Sequence, residues 1–397
     1  MTEADVLIVG GGPAGLSTAL FLLHARPDLR GRVLVLEKAR YPREKPCAGA
    51  IGGRADKLFA SIGVTVDVPS VIVDGMSVAT SAGRAGHAVA DIGRVVRRLE
   101  FDHRLAEIAA SRGAIVIEGA RVERVDVSED GASVTTAQGS FRGRVLIGAD
   151  GVGSVVRRSL GLPFGRYRAQ VLEIDTERVD GDPDRRTLHF DLSDPSLTGY
   201  FWDFPTVVGG RELYCRGIYE LSGVEGAPAG EDAKVPLQER FAARLARQGL
   251  RLGDHEQKRF GERGFELHKP FAAPRVLLVG EAAGIDPITG EGIAQAVEYG
   301  HAAATYLAPR LASDDLRFSD WGEHLRKSRI GFDLGIRTRI VDLCFGARRA
   351  AMERYLLGTP SLLEAALRGW GGQRIPWTTF ARLGAATAAL AVRLPLG

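Results

Sequence analysis

Gly10-Gly11-Gly12-Pro13-Ala14-Gly15 follows directly on the apolar run Val6-Leu7-Ile8-Val9. A strand that turns through glycines at this spacing into a helix can bind a pyrophosphate. Gly10 permits the tight turn, Gly12 lets the backbone approach the ligand, and Gly15 lets helix pack on strand. The helix start, at Pro13 and Ala14, offers free N–H groups and a positive dipole end to the phosphates. A second apolar run, Val33 to Leu36, ends in Glu37. It stands roughly 20 residues past the glycines, where an acid holds a ribose hydroxyl. The chemistry is that of a dinucleotide site.

Gly148-Ala149-Asp150-Gly151 and Gly280-Glu281-Ala282-Ala283-Gly284 each close a further buried run, Val145 to Ile147 and Val276 to Val279. Ligands of an open α/β sheet bind beyond the carboxyl ends of its strands, so three glycine-bearing ends converge on one crevice. Asp286 to Gly292 then leads through Gly290 and Gly292 into a helix from Ile293, whose N-terminus points N–H groups at partial negative charge.

In Tyr200-Phe201-Trp202-Asp203-Phe204-Pro205, alternate residues of a strand share a face, so Tyr200, Trp202 and Phe204 make an aromatic wall. Pro205 is expected to end that strand. Ordinary sheet core would give the same stripe. Cys47, within Lys45-Pro46-Cys47-Ala48-Gly49, reads either as a small buried hydrophobe or as a thiol set at the cofactor.

These residues need a scaffold. Residues 1–60 read as β-α-β followed by a Gly/Pro-rich loop, and Val71 to Ala90 as short strands. Arg94 to Arg112 has a helical pattern in which Val95, Leu99, Leu105, Ile108 and Ala109 form the apolar face. Strands resume at Ile115 and at Val122, with a hairpin at Asp130-Gly131. Arg166 to Glu266 alternates like an antiparallel sheet, interrupted by one helix around Pro236 to Arg247, and the remainder is mostly helical. The fold class is α/β: a discontinuous Rossmann-like nucleotide domain, an antiparallel β-sheet substrate domain and a helical C-terminal region.

The chain has 397 residues, more than one simple core holds. Its 45% hydrophobic and 25% charged composition is that of a globular protein, and a net charge of +3 with scattered basic residues gives no case for nucleic acid. Cys47, Cys215 and Cys344 lie far apart, which points to a reducing compartment, and no His/Cys cluster has metal-ligand spacing. The first strand leaves no room for a signal peptide, and no run of about 20 apolar residues exists. The expectation is a cytoplasmic protein. Phe380 to Leu396, Ala/Leu-rich with Arg382 and Arg393, reads as a packed helix or as a peripheral membrane contact.

The order of the three glycine motifs, ending in Pro287 and Gly290-Glu291-Gly292, resembles the FAD-dependent oxidoreductases of the aromatic-hydroxylase superfamily. The resemblance implies FAD held by Gly10, Gly12, Pro13, Ala14, Gly15, Glu37, Lys38, Arg98, Asp150, Gly280, Glu281, Gly290, Gly292 and Ile293. The family usually has Asp where this chain has Glu281. Tyr-x-Trp-x-Phe-Pro matches the signature of geranylgeranyl reductases at Tyr200, Trp202, Phe204 and Pro205. Lys45 to Gly49 resembles their Lys-x-Cys-Gly-Gly loop, with Ala48 replacing the first glycine, and places Cys47 and Ala48 at the flavin. Halogenases of the superfamily carry a related aromatic segment and a lysine after the second strand; Lys45 and Lys57 lie in different surroundings.

The expected domains are 1–70, 92–165 and 268–310 for FAD, 71–91 and 166–267 for substrate, and 311–397 as the helical region. The implied activity is reduction of an isoprenoid double bond, in a prenyl diphosphate, a prenyl quinone or an isoprenoid lipid, by hydride from reduced flavin. Tyr200 and Trp202 would face the developing positive carbon, Cys47 would act as acid or positioning group, and Phe204 would line the substrate site. No second dinucleotide fingerprint is present, so NAD(P)H visits transiently or a reduced carrier protein delivers electrons. The alternative is an FAD monooxygenase or halogenase-like enzyme acting on an aromatic substrate. Arg329, Arg337 and Arg339 read as a phosphate-binding group or as a solvated helix face.

Overall fold

The computed structural model describes residues 2–268 and 271–384. β1 (Thr2–Val9) turns into α1 (Pro13–Ala25), and β2 (Val33–Glu37) lies parallel to β1 with Val6 opposite Val33. α1 is buried along nearly its whole length, as an apolar helix between layers must be. The loop after β2, expected to be irregular, holds β3 (Ala50–Gly52) and α2 (Gly53–Ser61). β4 (Ser70–Thr80) and β5 (Gly83–Val96) form a long hairpin. α3 (Arg98–Ser111) starts four residues later than the helical pattern suggested. Val95 belongs to β5 instead, paired with Ala50 and Val71, because sheet pairing claims the β-branched pair Val95-Val96.

Next come β6 (Ile115–Glu118), β7 (Val122–Ser128), β8 (Gly131–Thr136), β9 (Gly139–Gly148) and α4 (Val155–Ser159). Then follow β10 (Arg168–Thr176), β11 (Thr187–Leu192), β12 (Gly199–Val208), β13 (Arg211–Ser222), α5 (Leu237–Ala246) and β14 (Lys258–Arg263). β15 (Ala272–Ala273) and β16 (Val276–Leu278) precede α6 (Ile293–Ser313). The described chain continues through α7 (Trp321–Lys327), α8 (Arg329–Phe345), α9 (Arg349–Gly358) and α10 (Pro360–Trp370).

One sheet runs β15-β16-β9-β1-β2-β6, with the β7–β8 hairpin on β9. The other runs β14-β10-β13-β12-β11-β4-β5-β3. The second sheet therefore takes in β3 and Ile92 to Val96, which the sequence assigns to the nucleotide-binding part. It is also mixed rather than purely antiparallel: β11 runs parallel to β4, with Thr187 opposite Gly75. The chain crosses the first sheet between those two strands, so no hairpin imposes an antiparallel pair. Pro205 does not end β12, which continues to Val208. It lies past the last β11 pair, His189 with Asp203, so its missing N–H costs no ladder bond on that side.

Register places a row of residues on one face of the second sheet. Directly opposed residues share a face. Tyr200, Tyr219, Val171 and Phe260 form one row; Trp202, Gly217, Glu173 and Lys258 form the next. The aromatic wall of β12 is thus continuous, across β13 and β10, with the edge strand β14. No described helix is long and apolar enough to cross a membrane. Phe380 begins the C-terminal stretch with half its surface exposed; residues 385–396 of that stretch lie outside the described residues.

Candidate active site

The carboxyl ends of β1, β2, β9 and β16 open on a cleft of about 420 Å³. Gly10, Gly12, Pro13, Ala14, Glu37, Lys38, Cys47, Arg98, Asp150, Glu281, Gly290, Gly292 and Ile293 all line it. Gly15, Ala48 and Gly280 do not. Gly15 packs helix on strand, and a Cβ there would meet the Gly10 carbonyl oxygen at 2.0 Å. Gly280 packs on Ala14, and Ala48 packs against the aromatic core. Gly10 has φ +109° and no room for a Cβ, which would lie 2.3 Å from the Ala149 oxygen.

The loop is held from the acid side. Glu37 accepts the Gly11 N–H at 3.0 Å and the Ala39 N–H at 2.9 Å. Oε1, with the Ala39 N–H as its one donor, keeps a lone pair for a further donor such as a ribose hydroxyl. Arg43, which the sequence reading missed, bridges Glu37 at 3.3 Å and Asp102 at 3.0 Å. Arg98 forks onto the buried Asp102 with two bonds of 2.6 Å. A Cβ on Gly12 would point at the Arg98 and Arg43 guanidinium groups, 3.7 and 3.9 Å away. The bare backbone and two cations suit a pyrophosphate. Asp150 accepts the Ser154 hydroxyl at 2.5 Å and the Val155 N–H at 2.6 Å, so it caps α4 as well as lining the cleft.

Glu281 Oε1 is sealed from solvent and has no partner among the described residues. Burial raises its pKa, opposed by Lys45 and Arg98. An orphaned acceptor where the resemblance implies a ribityl contact fits that hydroxyl-rich chain. Beside it, the Asp286–Gly292 loop is fixed from several sides. Asp286 pairs with Arg337 of α8, Glu291 takes Arg54 at 2.6 Å and the Trp370 indole N–H at 2.7 Å, and Tyr200 donates its hydroxyl to the Thr289 carbonyl. Gly292 opens the 21-residue α6, and Gly292, Ile293 and Ala296 at its start line the cleft. The donor set matches FAD throughout.

Cys47 sits on the loop between β2 and β3. Its N–H donates to Glu173 Oε1 at 2.8 Å, and its Sγ accepts the Gly49 N–H at 3.4 Å. Burial pushes the thiol pKa up, with Arg98 pulling the other way. Glu173 also accepts the Cys215 thiol at 3.7 Å, and burial pushes its own pKa to about 7. Tyr200, Trp202 and Phe204 share a face as the alternation required, but each is at least 94% buried and none lines the cleft. Trp202 lies flat over Gly217, and Tyr200 stacks on Tyr219 at 5.1 Å. Their link to the cleft is the Tyr200–Thr289 bond and the shared sheet face.

Arg337 and Arg329 do not form a phosphate-binding group. Arg337 is spent on Asp286 and Asp333, Arg329 on Glu298 and the Gly369 carbonyl, and Arg339 is exposed.

Comparison with known proteins agrees with this geometry. Residues 3–315 match the family model described as "FAD binding domain". The chain is 31% identical over 340 residues to a menaquinone reductase of Mycobacterium tuberculosis, covering 78% of this chain and 77% of the relative. The chain belongs to the FAD-dependent oxidoreductases that share this FAD-binding domain. A digeranylgeranylglycerophospholipid reductase of Thermoplasma acidophilum is 28% identical over 346 residues, 79% of this chain and 80% of the relative. A crystal structure described as geranylgeranyl bacteriochlorophyll reductase-like, from the same organism, superposes with TM-score 0.68 at 22% identity over 99% of both chains. Flavin-dependent halogenases share the fold as well. This FAD-dependent oxidoreductase thus has its cofactor cleft where its glycine motifs converge, and its aromatic segment behind that cleft.

Proposed function

We propose that this oxidoreductase reduces carbon–carbon double bonds of an isoprenoid: a prenyl diphosphate, a prenyl quinone or an isoprenoid lipid. The observation that carries the reading is the sheet face on which the Tyr200-Trp202-Phe204 wall is joined, through the Tyr200–Tyr219–Val171 row, to Phe260 at the cleft. Relatives named for reduction of geranylgeranyl lipids support it.

Reduced FAD, when bound, supplies a hydride. The chain's residues do the rest. Arg43, Arg98 and the Gly10–Gly15 loop hold the pyrophosphate, and Glu281 the ribityl chain. An isolated alkene has no carbonyl to spread charge, so the site must protonate one carbon as the other gains hydride. Aromatic faces stabilise positive carbon by about 1–2 kcal/mol when water is excluded. The Cys47 loop, clamped to Glu173, closes the cleft on the side of the second sheet. NAD(P)H or a reduced carrier protein is the proposed electron source, and the proposed setting is the cytoplasm, with the C-terminal segment as a candidate peripheral membrane contact.

The test is anaerobic. Enzyme reduced with dithionite is mixed with geranylgeranyl diphosphate or a short-chain menaquinone, and flavin absorbance is followed. Reoxidation without oxygen supports the reading. A flavin that stays reduced until oxygen enters, and then yields an oxygenated aromatic product, replaces it with a monooxygenase.

A further inference from the structure

Double-bond reduction by hydride needs a proton donor, and the cleft holds two carboxyl groups that no motif announced, the exposed Glu44 and Glu262. Glu262 lies on β14, on the cleft-facing side with Phe260, two residues away along the strand. It is opposite Ala169, so it stands on the same sheet face as Tyr219, Tyr200 and Trp202. Its Oε2 is sealed from solvent and has no hydrogen-bond partner among the described residues. The same oxygen lies 2.6 Å from where a Cβ on Gly290 would be, so Glu262 occupies space that only a glycine in the Gly290-Glu291-Gly292 turn leaves open.

The other acids near the cleft are committed. Glu173 has both oxygens engaged, by the Cys47 N–H and the Cys215 thiol. Glu281 falls at the ribityl position. Asp150 caps α4. Cys47 Sγ accepts the Gly49 N–H and faces the Arg98 cation. Among the described residues, Glu262 alone combines a place in the cleft, the aromatic face and a sealed oxygen with nothing to bond.

We propose that Glu262 is the acid that delivers the proton to the substrate double bond. This rests on the alkene-reductase reading. The balance is simple. One carbon gains hydride from the reduced cofactor, which is oxidised by two electrons. The other takes the proton of Glu262 as its O–H bond breaks, and the carboxylate left behind is reprotonated by water that enters the cleft it lines once product has left. The surroundings keep the group in its acid form. Burial raises its pKa well above the ordinary carboxyl value; Glu281, Asp286 and Glu173 raise it further, and Lys45 opposes them. The Tyr200 and Tyr219 hydroxyls, given to the Thr289 and Pro287 carbonyls, add no charge.

The test compares wild-type holoenzyme with Glu262→Gln and Glu262→Asp, each checked for bound FAD and melting temperature. Infrared difference spectra of oxidised minus reduced holoenzyme at neutral pH are expected to show a protonated-carboxyl C=O band in wild type that Glu262→Gln lacks. Anaerobic reoxidation by geranylgeranyl diphosphate is expected to slow by roughly 100-fold or more in Glu262→Gln, the range for loss of a general acid, and less in Glu262→Asp. Wild type that turns over while Glu262→Gln keeps pace within about threefold removes Glu262 from the reaction and leaves the reductase reading intact. An infrared band unchanged by the substitution also overturns the proposal. Wild type inert to every prenyl substrate overturns the reductase reading, and the donor role with it.

Discussion

The backbone N–H of Cys47 donates to Glu173 Oε1 across 2.8 Å, tying the cysteine loop of the first lobe to β10 of the second sheet. The acceptor is a buried carboxyl whose pKa is pushed up to about 7 by burial, with Arg97 pulling it down. The native pKa lies above that of an unfolded carboxyl, so Glu173 favours the folded state fully at low pH. That contribution is lost as pH rises from the ordinary carboxyl range through about 7. Glu173→Gln keeps an acceptor for the Cys47 N–H and removes the buried charge. Its stability relative to wild type is therefore expected to rise across that window, by on the order of 3 kcal/mol in total. Denaturant unfolding at a series of pH values reads this, and a pH-independent difference would contradict it.

Glu281 is expected to serve FAD binding rather than folding. Glu281→Ala should fold and weaken FAD affinity by roughly 10- to 100-fold, the worth of a hydrogen bond to a charged group. Glu281→Asp should recover part of it. Fluorescence titration of apoprotein with FAD measures both, and equal affinity in all three proteins would show that the orphaned oxygen does not meet the cofactor.

Much of this site was legible in the sequence, because its motifs are local: a strand, a glycine turn and a helix are set by neighbouring residues. The three strand ends do meet, and thirteen of the residues named for the cofactor line the cleft. What was hidden depends on residues far apart in the chain. Arg43 acts through Glu37 and Asp102, and Glu173 reaches Cys47 over 126 positions. Glu262 becomes special only because β14 pairs with β10 at the sheet edge. The Arg94 helix start failed for the same reason: Val95 and Val96 answer to partners in β3 and β4, not to helical spacing.

Tyr200 reaches the cofactor loop through its hydroxyl bond to the Thr289 carbonyl. Tyr200→Phe should keep the aromatic packing on Tyr219 and lose about 1 kcal/mol of stability. The visible circular dichroism of bound flavin should change with it, because the Asp286–Gly292 loop loses a tether. Unchanged stability and an unchanged flavin signal would reduce Tyr200 to a filler of the core.

Cys47→Ala removes the thiol, while the N–H to Glu173 remains. FAD should stay bound and alkene reduction should slow. Full activity in purified Cys47→Ala would take the side chain out of the chemistry and leave only the loop.

The central claim is that electrons leave this flavin into a carbon–carbon double bond. The most direct measurement is the product mass after a single anaerobic turnover of reduced enzyme with geranylgeranyl diphosphate or a short-chain menaquinone. The account predicts a prenyl chain that has gained two hydrogens for each flavin reoxidised. A prenyl chain of unchanged mass beside reoxidised flavin, or a product formed only once oxygen is admitted, would contradict it.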